Sequence, residues 1–215
     1  MVIITNTILK KMKTTINTSN KLTQTESLIR RAVPEDAKVI AKHILLAMED
    51  VVCQFIGEKS VEKATQFLVN LIGKKANQYS YENCWVMEIE NAVVAVAVVY
   101  DGGKLQELRE PVVKEIKSMF NRDFNPENET STGEYYIDSV GVNPQQQCKG
   151  LGSKLFRFLI DEYVFKRNET LGLLVDKENP DAKKLYLKLG FEIVGDKILA
   201  GKNMEHLQIK TKKHK

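Results

Sequence analysis

The sequence predicts one α/β (α+β) domain, and three observations carry that prediction. Seven short runs rich in Val, Ile, Leu and Tyr read as strands, stretches of helical apolar spacing lie between several of them, and two of the helices open on explicit start signals. A chain of 215 residues is ordinarily one domain with trimmings, and a hydrophobic content of 43% supplies a sizeable core.

The elements follow in order. Residues 28–32 form a first strand. Pro34-Glu35-Asp36-Ala37 opens a helix to about Glu49, with Ile40, Ile44 and Met48 on one face. A second helix is predicted over 60–75, with Ala64, Phe67, Leu68, Leu71 and Ile72 inward. Residues 84–90 and 92–100 form a hairpin whose second strand is almost wholly apolar, as a central strand should be. In 101–133, Leu105, Leu108, Val112, Val113, Ile116, Met119 and Phe120 predict one or two amphipathic helical turns around Pro111, followed by a polar run that returns the chain. Residues 135–143 are the fourth strand, a loop and helix run to about Lys166, and 171–175 are the fifth. Residues 192–199 and 203–210 close the sheet around a turn at Gly201, and no internal repeat is visible.

The ordered domain is expected over 27–210. Residues 1–26 lack apolar periodicity and read as a disordered tail, with Met1 and Met12 both candidate starts, and 211–215 as a basic tail. The net charge of +4 sits in those ends: residues 1–26 carry +3 and residues 209–215 carry +4, so subtracting those seven charges leaves −3 for the middle. A nucleic-acid binder would carry its basic stripe on the folded part, so no nucleic-acid partner is expected. No run reaches the length of a membrane span, and the start lacks the pattern of a secretory signal. Cys53, Cys84 and Cys148 are odd in number and widely spaced, which suits free thiols in a reducing, cytoplasmic setting. His43, His206 and His214 are not at ligand spacing, so no metal is expected.

Two segments carry the chemistry. The first reads Val140-Gly141-Val142-Asn143-Pro144-Gln145-Gln146-Gln147-Cys148-Lys149-Gly150-Leu151-Gly152-Ser153. A strand ends at Pro144, a polar loop holds two glycines, and an amphipathic helix opens on them. Its first N–H groups and dipole make an anion site that Gly150 and Gly152 leave open to a phosphate. The glycine spacing is neither that of a Walker loop nor the three-glycine dinucleotide fingerprint. In the second segment, 179–191, Asn179 can cap a helix, Pro180 suits its first position, Asp181 favours its positive end, Gly190 supplies a left-handed exit and Phe191 the apolar contact after it.

Together these segments resemble the GNAT acetyltransferase family. Gln147-x-x-Gly150-x-Gly152 is similar to the family's pyrophosphate loop, and Asn179-x-x-Ala182-x-x-Leu185-Tyr186-x-x-Leu189-Gly190-Phe191 to its second signature, in the family's order and separation. The resemblance covers residues 28–210 apart from 101–133. It implies a GNAT fold, with a mixed, mostly antiparallel sheet of about seven strands and helices on both faces. It further implies an acetyl-CoA-dependent N-acetyltransferase acting on a primary amine of a small molecule, amino acid or peptide. By resemblance, Val140, Gly141 and Val142 pair with the pantetheine arm; Gln147, Cys148, Lys149, Gly150, Leu151, Gly152 and Ser153 hold the pyrophosphate; Asn179 lies along acetyl-CoA; and the Tyr186 hydroxyl approaches its sulfur. The insertion 101–133 is then a lid over the acceptor site, a packed ornament or a homodimer contact.

Acetyl transfer needs a neutral amine. An ammonium of pKa about 10.4 leaves roughly one molecule in a few thousand nucleophilic at pH 7, a cost of about 4–5 kcal/mol that a positioned base partly recovers. Asp138, a lone carboxylate on an apolar strand, is the candidate base or amine anchor, against a structural ion-pair role; Glu134 is the reserve. Two-residue alternation places Tyr136, Asp138 and Val140 on one face unless a bulge intervenes. Several relatives carry a catalytic Glu where Tyr136 stands. Tyr186 is expected to donate a hydrogen bond to the leaving sulfur. The competing readings are a non-catalytic acyl-CoA-binding regulatory module and an acyltransferase for a longer acyl group.

Overall fold

The computed structural model describes residues 26–147 and 149–212. The expectations for the N-terminal tail up to residue 25, for Met12, for Cys148 and for the last three residues lie outside the described residues.

The chain runs β1 (Ser27–Arg31), α1 (Ala37–Ile56), α2 (Val61–Ile72), β2 (Cys84–Ile89), β3 (Ala92–Asp101), α3 (Leu105–Phe120), β4 (Tyr135–Val142), α4 (Leu151–Leu159), β5 (Leu171–Asp176), α5 (Pro180–Lys188), β6 (Glu192–Leu199) and β7 (Lys202–Ile209). The strands make one seven-stranded sheet in the order β1-β2-β3-β4-β5-β7-β6. All neighbours are antiparallel except β4 and β5, which run parallel. β3, the almost wholly apolar strand, is paired on both edges and buried from Val94 to Tyr100.

Each face of the sheet has its own core. On one face Ile40 and Ile44 of α1, Phe67 and Leu71 of α2 and Val112 and Ile116 of α3 pack on Val86, Val96, Val98 and Tyr136. On the other, Leu155, Phe156 and Leu159 of α4 and Ala182 and Tyr186 of α5 pack on Ala95, Ala97, Ile137 and Val140. Gly141 lets α1 sit directly on β4: a Cβ there would lie 2.1 Å from the His43 carbonyl oxygen.

Three elements depart from the sequence expectation. α1 does not stop near Glu49 but runs to Ile56, burying Val51, Val52 and Ile56, and ends where Gly57 takes φ +76° and donates its N–H to Cys53. Met48 has non-helical dihedrals (φ −145°, ψ 36°), so the helix bends there. The bend has neither proline nor glycine to announce it. The predicted one or two turns around Pro111 are a sixteen-residue helix, α3. Pro111 is only half-buried and the carbonyl it deprives belongs to exposed Glu107, while Leu105, Leu108, Val112 and Ile116 anchor the helix to the core. Asn121, with φ +50°, ends it. Beyond Leu159, α4 widens into π-helical turns over Ile160–Lys166.

Candidate active site

β4 is the axis of the site. It pairs with β3 along its length, but with β5 only at Tyr135↔Leu171 and Tyr136↔Gly172. β5 stays with β7 through Asp176, so the two parallel strands part after their first contacts. The parted edge of β4, from Ile137 to Val142, faces the gap and includes the Val140, Gly141 and Val142 stretch expected to meet a pantetheine arm.

The β3–β4 register shifts between Val98 and Val99, which oppose Ser139 and Ile137 and leave Asp138 as the extra residue of a bulge. The simple alternation is thereby corrected. Tyr136 packs in the α1–α3 core and Asp138 bonds to Gln78 and Tyr100 on that side, whereas Val140 packs in the α4–α5 core.

Asp138 lies in a buried polar cluster. Gln78 Nε2 donates to Glu129 Oε1 at 2.7 Å and to Asp138 Oδ1 at 3.2 Å, and the Tyr100 hydroxyl lies 2.8 Å from the first and 3.3 Å from the second. Arg109 forms an ion pair with Glu129 and donates to Asn128 and to the backbone carbonyls of Pro126 and Glu127. Burial raises the carboxyl pKa of Asp138 above its ordinary value, and the Glu129 carboxylate adds to the rise, while the Gln78 and Tyr100 hydrogen bonds oppose it. A pocket on this face reaches Asp138, Gln78, Arg109 and Glu129 between α1, α3 and the 121–133 return. The return is packed rather than loose: Phe124 packs on Phe55 with centroids 4.6 Å apart and ring planes tilted by 56°, and Glu129 and Thr130 are buried. Phe124, Pro126 and Glu129 of the return line this pocket.

Glu134, the reserve base, is tied elsewhere. Thr130 donates to its Oε1 at 2.7 Å, and His206 and Gln208 reach Oε2 at 2.8 and 2.7 Å. Burial alone would raise its pKa, yet the His206, Thr130 and Gln208 hydrogen bonds outweigh that and hold it below the usual carboxylate range.

On the opposite face, α4 opens at Gly150, which takes φ +75° as the residue before the first turn and has no side chain of its own to cap it. By helix geometry the N–H groups of Leu151, Gly152 and Ser153 have no intrahelical acceptor. A Cβ at Gly150 would meet nothing within 4 Å, and at Gly152 only a Val142 methyl at 3.8 Å, so the space over this turn is clear. Gln147 Nε2 donates to the Val142 carbonyl at 3.4 Å and Lys149 Nζ to Gln146 at 2.8 Å. Asn179 caps α5, accepting from the Ala182 N–H at 3.1 Å. Tyr186 is fully buried against Phe156 and Phe191, with ring centroids at 5.2 and 6.1 Å. Its hydroxyl has no hydrogen-bond partner among the described residues, and burial pushes its pKa up. A helix start with clear space over it and a parted strand edge fit the pyrophosphate and pantetheine arm of a coenzyme A thioester.

The structure thus divides the expected residues between the two faces of β4. Tyr186, Asn179, Gln147 and residues 149–153 lie with α4 and α5, and Asp138 faces the α1–α3 side. Gln78, Tyr100, Arg109 and Glu129 were not among the expected residues. A lone Gln, a strand Tyr and a Glu within a polar run have no periodic or spacing signal. Among the described residues no group of three His, Cys, Asp or Glu side chains is placed to hold a metal, and no helix is long and apolar enough to cross a membrane.

Comparison with known proteins agrees with this geometry. Residues 48–191 match the Acetyltransferase (GNAT) family. A 62-residue stretch is 39% identical to the N-alpha-acetyltransferase RimI of Mycobacterium tuberculosis, covering 29% of this chain and 37% of that protein's length. A solved acetyltransferase structure superposes with a TM-score of 0.74 at 29% identity, over 86% of this chain and 100% of that one. An N-acetyltransferase from Staphylococcus aureus Mu50 shares the fold with a TM-score of 0.75 at 24% identity, over 85% and 100% of the two chains. A family match over two-thirds of the chain, on a sheet that parts between β4 and β5, places this protein in the acetyltransferase (GNAT) family.

Proposed function

We propose that the protein transfers an acetyl group from acetyl-CoA to a primary amine by direct attack, with Asp138 on the acceptor side and Tyr186 on the thiol side of β4. The observation that carries this reading is the start of α4, whose first backbone N–H groups open on clear space over Gly150 and Gly152 beside the parted edge of β4.

Acetyl-CoA supplies an activated acyl group, and the side chains supply position and proton handling. Asp138 accepts the proton that the ammonium must lose before nitrogen can form the new C–N bond. Its raised pKa narrows the gap to the amine, each unit being worth about 1.4 kcal/mol of the 4–5 kcal/mol deprotonation cost. Backbone N–H groups along the parted edge of β4 polarise the carbonyl. Tyr186 donates a hydrogen bond to sulfur as the C–S bond breaks, and the departing thiolate takes the second proton that the attacking nitrogen loses in becoming the amide. With its pKa raised by burial, Tyr186 stays protonated and acts as a donor rather than a full acid. Gln147 and the turn at 149–153 hold the pyrophosphate, and the RimI likeness is compatible with a peptide N-terminus among the acceptors.

The test is thiol release from acetyl-CoA with a panel of amines, amino acids and N-terminal peptides, with intact-protein mass spectrometry after acetyl-CoA alone. Amine-dependent thiol release with no acetylated protein is expected. Stoichiometric acetylation of the protein, turned over by amine, would replace direct attack with an acyl-enzyme route.

A further inference from the structure

Five hydrogen-bond contacts link Gln78, Tyr100, Glu129 and Asp138, and three hydrogens serve them. Gln78 Nε2 lies 3.0 Å from the Tyr100 hydroxyl oxygen, 2.7 Å from Glu129 Oε1 and 3.2 Å from Asp138 Oδ1. The Tyr100 hydroxyl lies 2.8 Å from the same Glu129 oxygen and 3.3 Å from the same Asp138 oxygen. The amide brings two hydrogens and the phenol one, so the two carboxylates compete for them, and Glu129 is the nearer acceptor of both donors. Its other oxygen is ion-paired with Arg109, which also donates to Asn128 and to the carbonyls of Pro126 and Glu127. The Glu129 carboxylate is thereby fixed where it holds the shared donors.

From this arrangement we infer that Glu129 is a positioning residue for the proton acceptor: it draws the Gln78 and Tyr100 donors toward itself and so keeps the Asp138 carboxylate receptive to the proton that the amine gives up. The inference rests on the reading of Asp138 as that acceptor. A hydrogen bond taken by Glu129 is one that does not stabilise ionised Asp138, and the neighbouring negative charge acts in the same direction. The cavity over Asp138 has room for about one water, a separation across which a base still takes a proton. Among the described residues, the titratable and charged groups facing Asp138 are Glu129 of the insertion, Arg109 of α3, Tyr79 ahead of β2, Cys84 of β2, Tyr100 of β3 and Tyr136 of β4. Burial raises the pKa of the three phenols and the thiol, so they stay neutral while Asp138 titrates. From α1 come only the apolar Met48, Val51 and Phe55. The insertion thus enters the chemistry through one carboxylate.

Carbon-13 NMR of protein labelled at its aspartate carboxyl carbons reads the effect, the Asp138 resonance being the one missing from Asp138→Asn. Its titration midpoint should fall by at least ~0.5 pH unit in Glu129→Gln, which returns the donors to Asp138 and removes a neighbouring charge. It should rise by at least ~0.5 pH unit in Tyr100→Phe, where two Gln78 hydrogens must serve both carboxylates and Glu129 has the nearer claim. A merely structural role gives no such opposed shifts. An unmoved midpoint in either folded variant, or shifts of the same sign, overturns the inference. Glu129→Gln leaves Arg109 buried without its carboxylate, so if melting shows that variant unfolded, Tyr100→Phe decides alone. A raised midpoint there supports the inference, and an unmoved or lowered one overturns it. Thiol release with the amine panel across pH tests the base reading apart. If Asp138→Asn and wild type give parallel pH–rate profiles, that reading fails and the positioning role falls with it. If Asp138→Asn loses the acid limb of the profile while the midpoints stay put in the other two variants, the positioning role alone fails.

Discussion

The two faces of the sheet reach β4 by different routes. On the α4–α5 face, the proposed cofactor elements are two contiguous stretches, a loop entering α4 and a capped helix, and what they offer is mostly backbone: N–H groups, a clear space over glycine and a strand edge. On the α1–α3 face, the groups around Asp138 are side chains brought together from far apart. Gln78 reaches Tyr100 across 22 positions and Asp138 across 60, and Glu129 arrives on the insertion. Recognition of a phosphate by backbone can be written into a dozen adjacent residues, because helix geometry itself supplies the donors. Recognition of an amine by a pocket depends on which loops are present, and a change of loop changes the acceptor without touching the other face.

The largest expected effect breaks the first half of this comparison. A Cβ at Gly152 would touch only a Val142 methyl at 3.8 Å, so Gly152→Val does not crowd the protein. Within a helix it replaces the residue of lower propensity. If the first turn of α4 holds the pyrophosphate, the branched side chain fills that space, and calorimetry should show CoA affinity falling at least ~100-fold with little change in melting temperature. Gly150→Val should do the same with an added strain of about 1–2 kcal/mol from its left-handed backbone. Normal CoA binding by Gly152→Val would remove this turn from the site.

This contrast also explains what could be read from the chain alone. The seven strands, the start of α4, the Asn179 cap and the Gly190 exit were legible because each is set by local periodicity and capping chemistry. The bend at Met48 and the full length of α3 were not. A bend without proline or glycine leaves no mark in sequence, and Pro111 reads as a breaker although Leu108, Val112 and Ile116 hold the helix together through tertiary packing. The bulge at Asp138 was equally hidden, because alternation cannot show where one residue is extra. Glu129 and Arg109 become a pair only once the insertion folds back on α3.

The next effect sharpens the second half. Asp138→Asn should lower kcat/KM for the amine by about 10²–10⁴-fold at pH 7, the scale of losing a general base, and the deficit should shrink as pH rises toward the amine's own pKa. Stability should move the other way. A carboxyl whose folded pKa is raised holds more protons in the folded than in the unfolded state between the two pKa values, so wild-type stability falls as pH rises through that window. Asparagine cannot ionise and escapes the loss. Asp138→Asn should therefore melt higher than wild type at neutral pH, with the difference closing below about pH 4, where the unfolded carboxyl is protonated as well. A pH–rate profile parallel to wild type with unchanged acceptor KM would take Asp138 out of the mechanism.

Tyr186→Phe should have a smaller effect that separates the two faces by kinetics. It removes a hydroxyl with no partner among the described residues and keeps the ring contacts with Phe156 and Phe191. A fall in kcat of about 10–10³-fold with near-constant CoA affinity is expected, together with a gain in stability of about 1 kcal/mol from deleting an unsatisfied buried donor. A loss of stability with unchanged kcat would make the hydroxyl structural.

The smallest effect on catalysis is expected at Glu134, and it tests whether the two acidic residues of this region divide their labour as their partners suggest. Three donors from Thr130, His206 and Gln208 converge on this carboxylate at the end of the sheet where β4 and β5 still pair, short of the point where they part. Gln in its place keeps the shape but sets its amide N–H against at least one of those donors, a mismatch of about 1–3 kcal/mol. Because the folded pKa of Glu134 is lowered, its contribution to stability is fully present above the unfolded value, about 4.3, and is lost as pH falls through the folded pKa. The melting-temperature gap between wild type and Glu134→Gln should thus be widest near neutrality and close in acid, opposite in sign to the gap for Asp138→Asn. Steady-state kcat/KM should stay within about threefold of wild type, the range of substitutions that touch no reacting atom. A large loss of rate in Glu134→Gln that is rescued at high pH would make Glu134 the base and leave Asp138 the structural carboxylate.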